Sequence, residues 1–399
     1  MKTLIILGIL LLIPVIPLKS FSQKASTIDE LIARYDITPC AECHEEKHSE
    51  WKTSTMGNSV IDPRVLRGFR TFIKLELDQE KTLRRKDLTI CLNCHVPHIK
   101  DASEELVVHI ADLVIAAVEE KDSTRREAAE KELSKLNLNC LGCHNLKALG
   151  FNKEPEPGVI YVPDKINDDA HTEAGYRTIT SDFMKTSDFC AQCHHCPPSV
   201  PWESCPTLYT TYIEDFIKKG RNETCQACHM EGKKRNHQFL GPDNLAFLQS
   251  AVTLNVNVRP TRYVDTYEGT MIPAIFLKVF LTNNAGHTIP HGCAFTPKAV
   301  LDVTAKSPDG DLLFSNKKVY HVGDLYFKGG KQVAMAEWDI TATEHFDLGL
   351  KALETDTSTF IIPLKADSKK ADISVQFLYL YSRDKTIPVT SFSETVEIE

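Results

Sequence analysis

The sequence predicts an α+β protein, with a mainly helical and irregular N-terminal part followed by an antiparallel β-sandwich-like part. A pentapeptide of the form Cys-x-x-Cys-His recurs five times between residues 40 and 229, among segments with helical periodicity. After about residue 250 the chain changes to short runs that are rich in β-branched and aromatic residues. The length of 399 residues also favours two domains over one.

The expected segments are a signal peptide, a five-motif domain and a β-rich domain, at residues 1–22, 23–249 and 250–399. Lys2 precedes an apolar run, Leu4–Leu18, and the small residues Ser20 and Ser22 precede the expected cleavage point. An uncleaved membrane anchor is the alternative. The run is shorter than the roughly 20 residues of a spanning helix, so we expect cleavage, no membrane span afterwards, and export to the periplasm or cell surface.

Charge and cysteine content narrow the class of protein. The formal net charge of −8 argues against nucleic acid as a partner. Thirteen cysteines with 15 histidines are too many for a typical reduced cytosolic enzyme. Because the number of cysteines is odd, disulfide pairing cannot account for all of them.

Ten of the thirteen cysteines belong to the repeated motif. The motifs are Cys40-x-x-Cys43-His44, Cys91-x-x-Cys94-His95, Cys140-x-x-Cys143-His144, Cys190-x-x-Cys193-His194 and Cys225-x-x-Cys228-His229. This pattern attaches c-type haem: two thiols on one helical turn bind the haem vinyl groups, and the following histidine is the proximal ligand of the iron. Zinc and iron–sulfur sites also use paired cysteines, but they do not require a histidine after every pair. We therefore expect five covalent c-type haems.

Each iron also needs an arrangement at its distal position. A second histidine makes a closed electron carrier, whereas an open position permits substrate chemistry. Ten histidines lie outside the motifs, so histidine could fill all five distal positions. The candidate distal ligands are His48, His171, His195, His237 and His287. Met56 is a further axial candidate, and His98 and His109 are as well explained by packing or surface positions.

Outside the motifs, the strongest helical pattern runs from Asp101 to Leu136, with Asp101 and Glu104 as the expected cap. Pro308-Asp309-Gly310 predicts a turn between two strands. The predicted strands are Val252–Val258, Pro273–Leu281, Ala299–Ala305, Gln332–Trp338, Thr359–Leu364, Ile373–Tyr381 and Val389–Ile398.

The three remaining cysteines lie outside the motifs. Cys196 and Cys205 flank a proline-rich stretch and are candidates for a disulfide, with two free thiols as the alternative. Cys293 is then left without an assigned role.

Several stretches resemble multihaem c-type cytochromes of the c-552/c-554 type. They are Cys40–Met56, Phe189–Pro198, Cys205–Tyr209, Cys225–Met230 with His237-x-Phe239, and Ala285–Gly292. The chain is also similar to the branch of extracellular cytochromes that polymerise into conducting filaments. That resemblance implies electron transfer, and a homopolymer in which one subunit donates a histidine to a haem of its neighbour.

The leading function is electron transfer, with redox proteins or an extracellular acceptor as partners. The alternative is a reductase of nitrite, hydroxylamine or a related small oxyanion with one open haem. Ammonia-forming nitrite reductases typically mark that haem with Cys-x-x-Cys-Lys, which this sequence lacks.

Overall fold

A computed structural model describes residues 23–78, 88, 92–150, 153–195, 208–232, 235–290, 298–333, 341–382 and 384–398. The predicted order, helices first and antiparallel strands after about residue 250, is confirmed. In the part of the chain that is described, no helix is long and apolar enough to cross a membrane. The predicted signal segment 1–22, Cys91, Cys196, Cys205, Cys293 and residues 334–338 of the predicted strand Gln332–Trp338 lie outside the described residues.

The N-terminal part consists of helices joined by irregular segments. The helices are α1 (Ile28–Ala33), α2 (Thr38–Cys43), α3 (Glu45–Lys52), α4 (Pro63–Asp78), α5 (Glu104–Glu119), α6 (Ser123–Ser134), α7 (Asp169–Glu173), α8 (Ser187–His194), α9 (Leu208–Tyr212), α10 (Cys225–His229) and α11 (Leu245–Ser250). Short 3-10 or π-helical segments lie at Pro97–Asp101, Gly142–Leu146, Asp182–Lys185 and Ile213–Ile217.

The predicted helix from Asp101 to Leu136 is two helices, and its predicted cap is wrong. The side chain of Ser103 accepts a hydrogen bond from the Leu106 amide and begins α5. Asp101 instead ends the preceding 3-10 turn and accepts a hydrogen bond from the Tyr35 hydroxyl. Asp122 caps α6 in the same way as Ser103 caps α5.

The apolar faces of α4, α5 and α6 form the core of the N-terminal part. On α5, Leu106, Ile110, Leu113 and Ala117 were predicted to share one face; Leu106, Ile110 and Ala117 are buried and Leu113 is half-buried. They belong to one cluster that also includes Phe72 on α4 and Leu133 on α6.

Twelve strands lie in the described residues. They are β1 (Val159–Val162), β2 (Arg177–Thr180), β3 (Val252–Asp265), β4 (Thr270–Asn283), β5 (Lys298–Lys306), β6 (Leu312–Tyr320), β7 (Val322–Lys328), β8 (Lys331–Val333), β9 (Ala342–Asp347), β10 (Thr355–Pro363), β11 (Lys370–Ser382) and β12 (Lys385–Glu397). β1 and β2 form a small parallel pair within the N-terminal part. The sequence analysis did not predict this pair.

The C-terminal strands form antiparallel sheets. Their orders are β10-β4-β3, β12-β11-β5-β6 and β8-β7-β9. Leu277 on β4, Val303 on β5 and Phe377 on β11 are fully buried in one cluster, so the first two sheets share a core. The predicted turn lies between β5 and β6, where Gly310 adopts φ of +90°. Strands β6, β7 and β9 were not predicted.

Candidate haem-binding sites

The described cysteines of the motifs lie on helical turns, as haem attachment requires. Helix α10 is itself a motif, and the Thr224 side chain caps it by accepting a hydrogen bond from the Ala227 amide. Helix α8 ends at His194, and α2 ends one residue before His44. Because two cysteines three positions apart share one face of a helix, each pair can reach one porphyrin edge.

Three proximal histidines each face a second histidine from a distant part of the chain. His144 and His237 have ring centres 6.3 Å apart and ring planes 14° apart. His229 and His287 have the same separation, with planes 13° apart. For the third pair, His44 and His171, the values are 5.8 Å and 28°.

This spacing fits two imidazoles that bind opposite sides of one iron. A bond from a metal to an imidazole nitrogen is about 2.0 Å, and the ring centre lies roughly 1 Å further away. Two such ligands therefore hold their ring centres about 6 Å apart. Direct ring stacking would require a closer approach, because aromatic carbon atoms in contact are about 3.5–4.0 Å apart.

Backbone carbonyls fix the tautomer of several of these rings. The Nδ1 of His144 lies 2.9 Å from the Tyr161 carbonyl oxygen, and that of His229 lies 2.5 Å from the Leu240 carbonyl oxygen. A carbonyl can only accept, so Nδ1 carries the proton and Nε2 keeps the lone pair that binds iron. Equivalent contacts join His95 to Ser59, His237 to Arg235, and His287 to Thr288.

Burial supports the same protonation state. Desolvation lowers the pKa of His95, His144 and His237 below the usual value. The neutral imidazole is the form that binds a metal, since a protonated ring has no free lone pair. The donor set therefore fits five haems in its chemistry.

The β-rich part contributes His287 through a rigid loop. Asn283, fully buried at the end of β4, donates hydrogen bonds to the carbonyl oxygens of His287 and Leu350, both at 2.8 Å. Its own side-chain oxygen accepts from the Ala285 amide at 2.8 Å. The loop thus has little freedom, and its imidazole faces His229 of the N-terminal part.

The attachment cysteines of different motifs also meet. The Cys40 thiol raises the pKa of the neighbouring Cys140 thiol, and the Cys225 thiol raises the pKa of the neighbouring Cys190 thiol. Cys94 and Cys193 form a third contact, in which the Cys193 thiol lies 4.0 Å from the Cys94 carbonyl oxygen. The motifs are therefore neighbours in space in an order that differs from their order along the chain.

The other candidate ligands lie in different surroundings. His48 contacts the ring of Trp51, with centres 5.4 Å apart, and His195 contacts Tyr209 at 5.5 Å. His109 is exposed on α5. The roles of His48, His195 and Met56 stay predictions.

His98 is a buried histidine of another kind. It has no solvent exposure, and neither ring nitrogen has a hydrogen-bond partner within the described residues. The paired histidines are more accessible, since each of them is half-buried or exposed. His98 is enclosed by protein and packs on Tyr35, with ring centres 5.5 Å apart, so it has no space for a porphyrin.

The sequence analysis did not identify the residues that position the proximal histidine rings. Tyr161 lies on β1, and the run Val159-Ile160-Tyr161-Val162 is the signal for a strand that would have indicated it. Ser59 and Leu240 contribute backbone carbonyls, for which side-chain identity gives no signal.

The fold, and the five motifs placed on it, are similar to those of a solved multihaem c-type cytochrome. That structure is a penta-heme cytochrome c552 from Thermochromatium tepidum. The similarity has a TM-score of 0.59 and 19% identity, and it covers 91% of this chain and 99% of that chain. The five motifs here match the number of haems named for that structure.

The C-terminal domain of wzt aligns with 37% of this chain and 74% of its own, at 8% identity and a TM-score of 0.23. No protein-family model matches the sequence, and no curated protein matches it.

Proposed function

We propose that this chain is an exported pentahaem c-type cytochrome that transfers electrons through mostly bis-histidine haems. The observation that carries the proposal is the spacing of three imidazole pairs, His44–His171, His144–His237 and His229–His287. Haem supplies reversible one-electron chemistry when bound. The contribution of the chain is to attach it, close both axial positions and set its surroundings.

In this proposal, the paired histidines exclude other ligands. When haem is bound, each histidine pair would hold its iron from two sides and leave no position for a substrate or for oxygen, so the group would supply electron exchange only. The carbonyl contacts at His144 and His229 raise the basicity of the imidazoles and hold their orientation. Both effects favour a stable six-coordinate iron.

The neighbouring attachment cysteines support close spacing within two groups of sites, one formed by the first and third motifs and the other by the second, fourth and fifth. Cys40 with Cys140, and Cys190 with Cys225, join the first motif to the third and the fourth to the fifth. Cys94 with Cys193 joins the second motif to the fourth. Cys43 and Cys228, in the first and fifth motifs, are the exposed cysteines among those described, which favours these two sites for exchange with partners.

Redox proteins or an extracellular acceptor remain the proposed partners, and the periplasm or cell surface the proposed location. The filament role rests on the sequence resemblance. Electron microscopy of cell-surface material tests it, and a preparation containing only monomers with all haems six-coordinate would argue against it.

The test of the main proposal uses the mature protein made with a c-type haem maturation system. Intact mass counts the attached haems, and electron paramagnetic resonance measures the fractions of low-spin and high-spin iron. We expect five haems and a predominantly low-spin spectrum. A large high-spin fraction, together with nitrite or hydroxylamine turnover well above that of free haem, would instead support the reductase.

A further inference from the structure

The loop that carries His237 has an unusual backbone. Two residues that are not glycine, Arg235 and Phe239, adopt positive φ values of 51° and 49° on either side of His237. Such conformations are strained in residues other than glycine and persist only where surrounding contacts hold them. Something outside the loop must therefore fix it in place.

One end of the loop is tied to the fifth motif. The Leu240 amide donates to the His229 carbonyl oxygen at 3.1 Å, and the Leu240 carbonyl accepts from His229 Nδ1. Arg235 also donates a side-chain hydrogen bond to the Gln226 carbonyl oxygen at 3.2 Å. These contacts hold the loop beside α10, but they leave the backbone at His237 without a partner from that side.

The partner at His237 comes from α3, far away in the sequence. The Oε2 atom of Glu50 accepts a hydrogen bond from the His237 amide at 2.9 Å. The same oxygen accepts from the Lys47 ammonium at 2.8 Å, which orients the carboxylate. The Glu50 side chain is only 15% exposed, so this contact is shielded from water.

We infer that Glu50 is a positioning residue that holds His237 in register with His144. The inference rests on the proposed function, because it concerns a residue proposed as a distal ligand. Glu50 acts through the backbone of the loop and does not touch the iron-binding atom. Its removal would free a strained loop and leave a shielded amide unpaired, so His237 would lose the pose in which its ring centre lies 6.3 Å from that of His144.

The experiment compares E50A, E50Q and E50D in the full-length haem-loaded protein. In E50A, we expect the high-spin fraction to rise by about one haem in five, with CO binding to the reduced protein rising by the same amount. E50Q keeps an oxygen that can accept from the His237 amide, so it should restore the wild-type spectrum. E50D keeps the charge but is one methylene shorter, and we expect an intermediate high-spin fraction.

Glu46 supplies the matched control, because it is an exposed glutamate on the same helix. E46A should have the wild-type spectrum. If E50A and E50D also keep the wild-type spin state and CO binding, the inference is wrong; should E50A fail to fold, E50D alone decides. A wild-type protein that itself lacks bis-histidine haem would contradict the proposed function, and so the two failures are distinguishable.

Discussion

The guanidinium carbon of Arg64, at the start of α4, lies 3.8 Å from the ring centre of Tyr381 near the end of β11. Asp62 accepts two side-chain hydrogen bonds from the same guanidinium, at 2.9 and 2.7 Å, and its own side chain is only 9% exposed. A cation over an aromatic face gains more when water is largely excluded. This stack therefore fastens the helical part to the β-rich part.

We expect Arg64→Ala to lower the free energy of unfolding by about 2 kcal/mol, because it removes the stack and the cationic partner of the Asp62 carboxylate. Urea denaturation of the haem-loaded protein measures the change. Arg67 is the matched control: its ion pair with Asp384 is exposed, at 50% and 68%, and Arg67→Ala should cost less than about 1 kcal/mol. Equal losses in the two variants would contradict the prediction.

His287→Ala should open one iron. Because His287 faces His229 at the spacing of a six-coordinate site, the variant should gain about one high-spin haem in five. Added imidazole should reverse the change by occupying the open position. His321, which packs on Phe346 in the β-rich part, is the control, and His321→Ala should leave the spin state unaltered.

His171→Ala and His48→Ala distinguish two candidate ligands. The structure places His171 opposite His44, whereas His48 contacts Trp51 one turn further along α3. We therefore expect a high-spin signal in the first variant only, again equivalent to about one haem in five. A signal in the second variant alone would reverse the assignment.

The burial of His98 predicts that the folded protein loses stability in acid. Burial lowers its pKa from 6.5 to about 4, and the nearby Asp101 carboxylate offsets this only in part. Between these values the unfolded chain binds the proton and the folded chain does not, so stability is complete above pH 6.5 and is lost as the pH falls towards 4. The loss amounts to about 3 kcal/mol.

His98→Leu should abolish this part of the pH dependence, because an apolar side chain has no proton to bind. Denaturation midpoints at several pH values between 4 and 7 measure it. His109→Leu, on the exposed face of α5, should behave like the wild type. An unchanged acid slope in His98→Leu would show that other groups control acid unfolding.

The haem attachment residues could be predicted from sequence because their chemistry requires a fixed local spacing. The pairing of distal ligands could not, since it depends on contacts between distant segments. His48 and His171 both lie in polar stretches of the sequence. Only the fold shows that His171 lies opposite His44.

Two physical reasons explain the errors in the predicted secondary structure. Asp101 and Ser103 are both good helix caps, and the bond of Asp101 to Tyr35 decided between them. β6 was missed because its centre, Ser315-Asn316-Lys317-Lys318, is polar and exposed in a strand at the sheet edge. The alternation that identifies a strand is weak where neither face is fully buried.

The three imidazole pairs also determine which segments of the chain are closed into loops. They join positions 127, 93 and 58 residues apart, and each of these segments begins before the previous one ends. With iron bound, the segments form loops that overlap in sequence, and the last of them reaches from the fifth motif into the β-rich part. While the axial bonds hold, unfolding from either terminus stops at the first histidine pair that it reaches. A competing ligand that displaces one of these histidines should therefore allow one part of the chain to unfold before the rest.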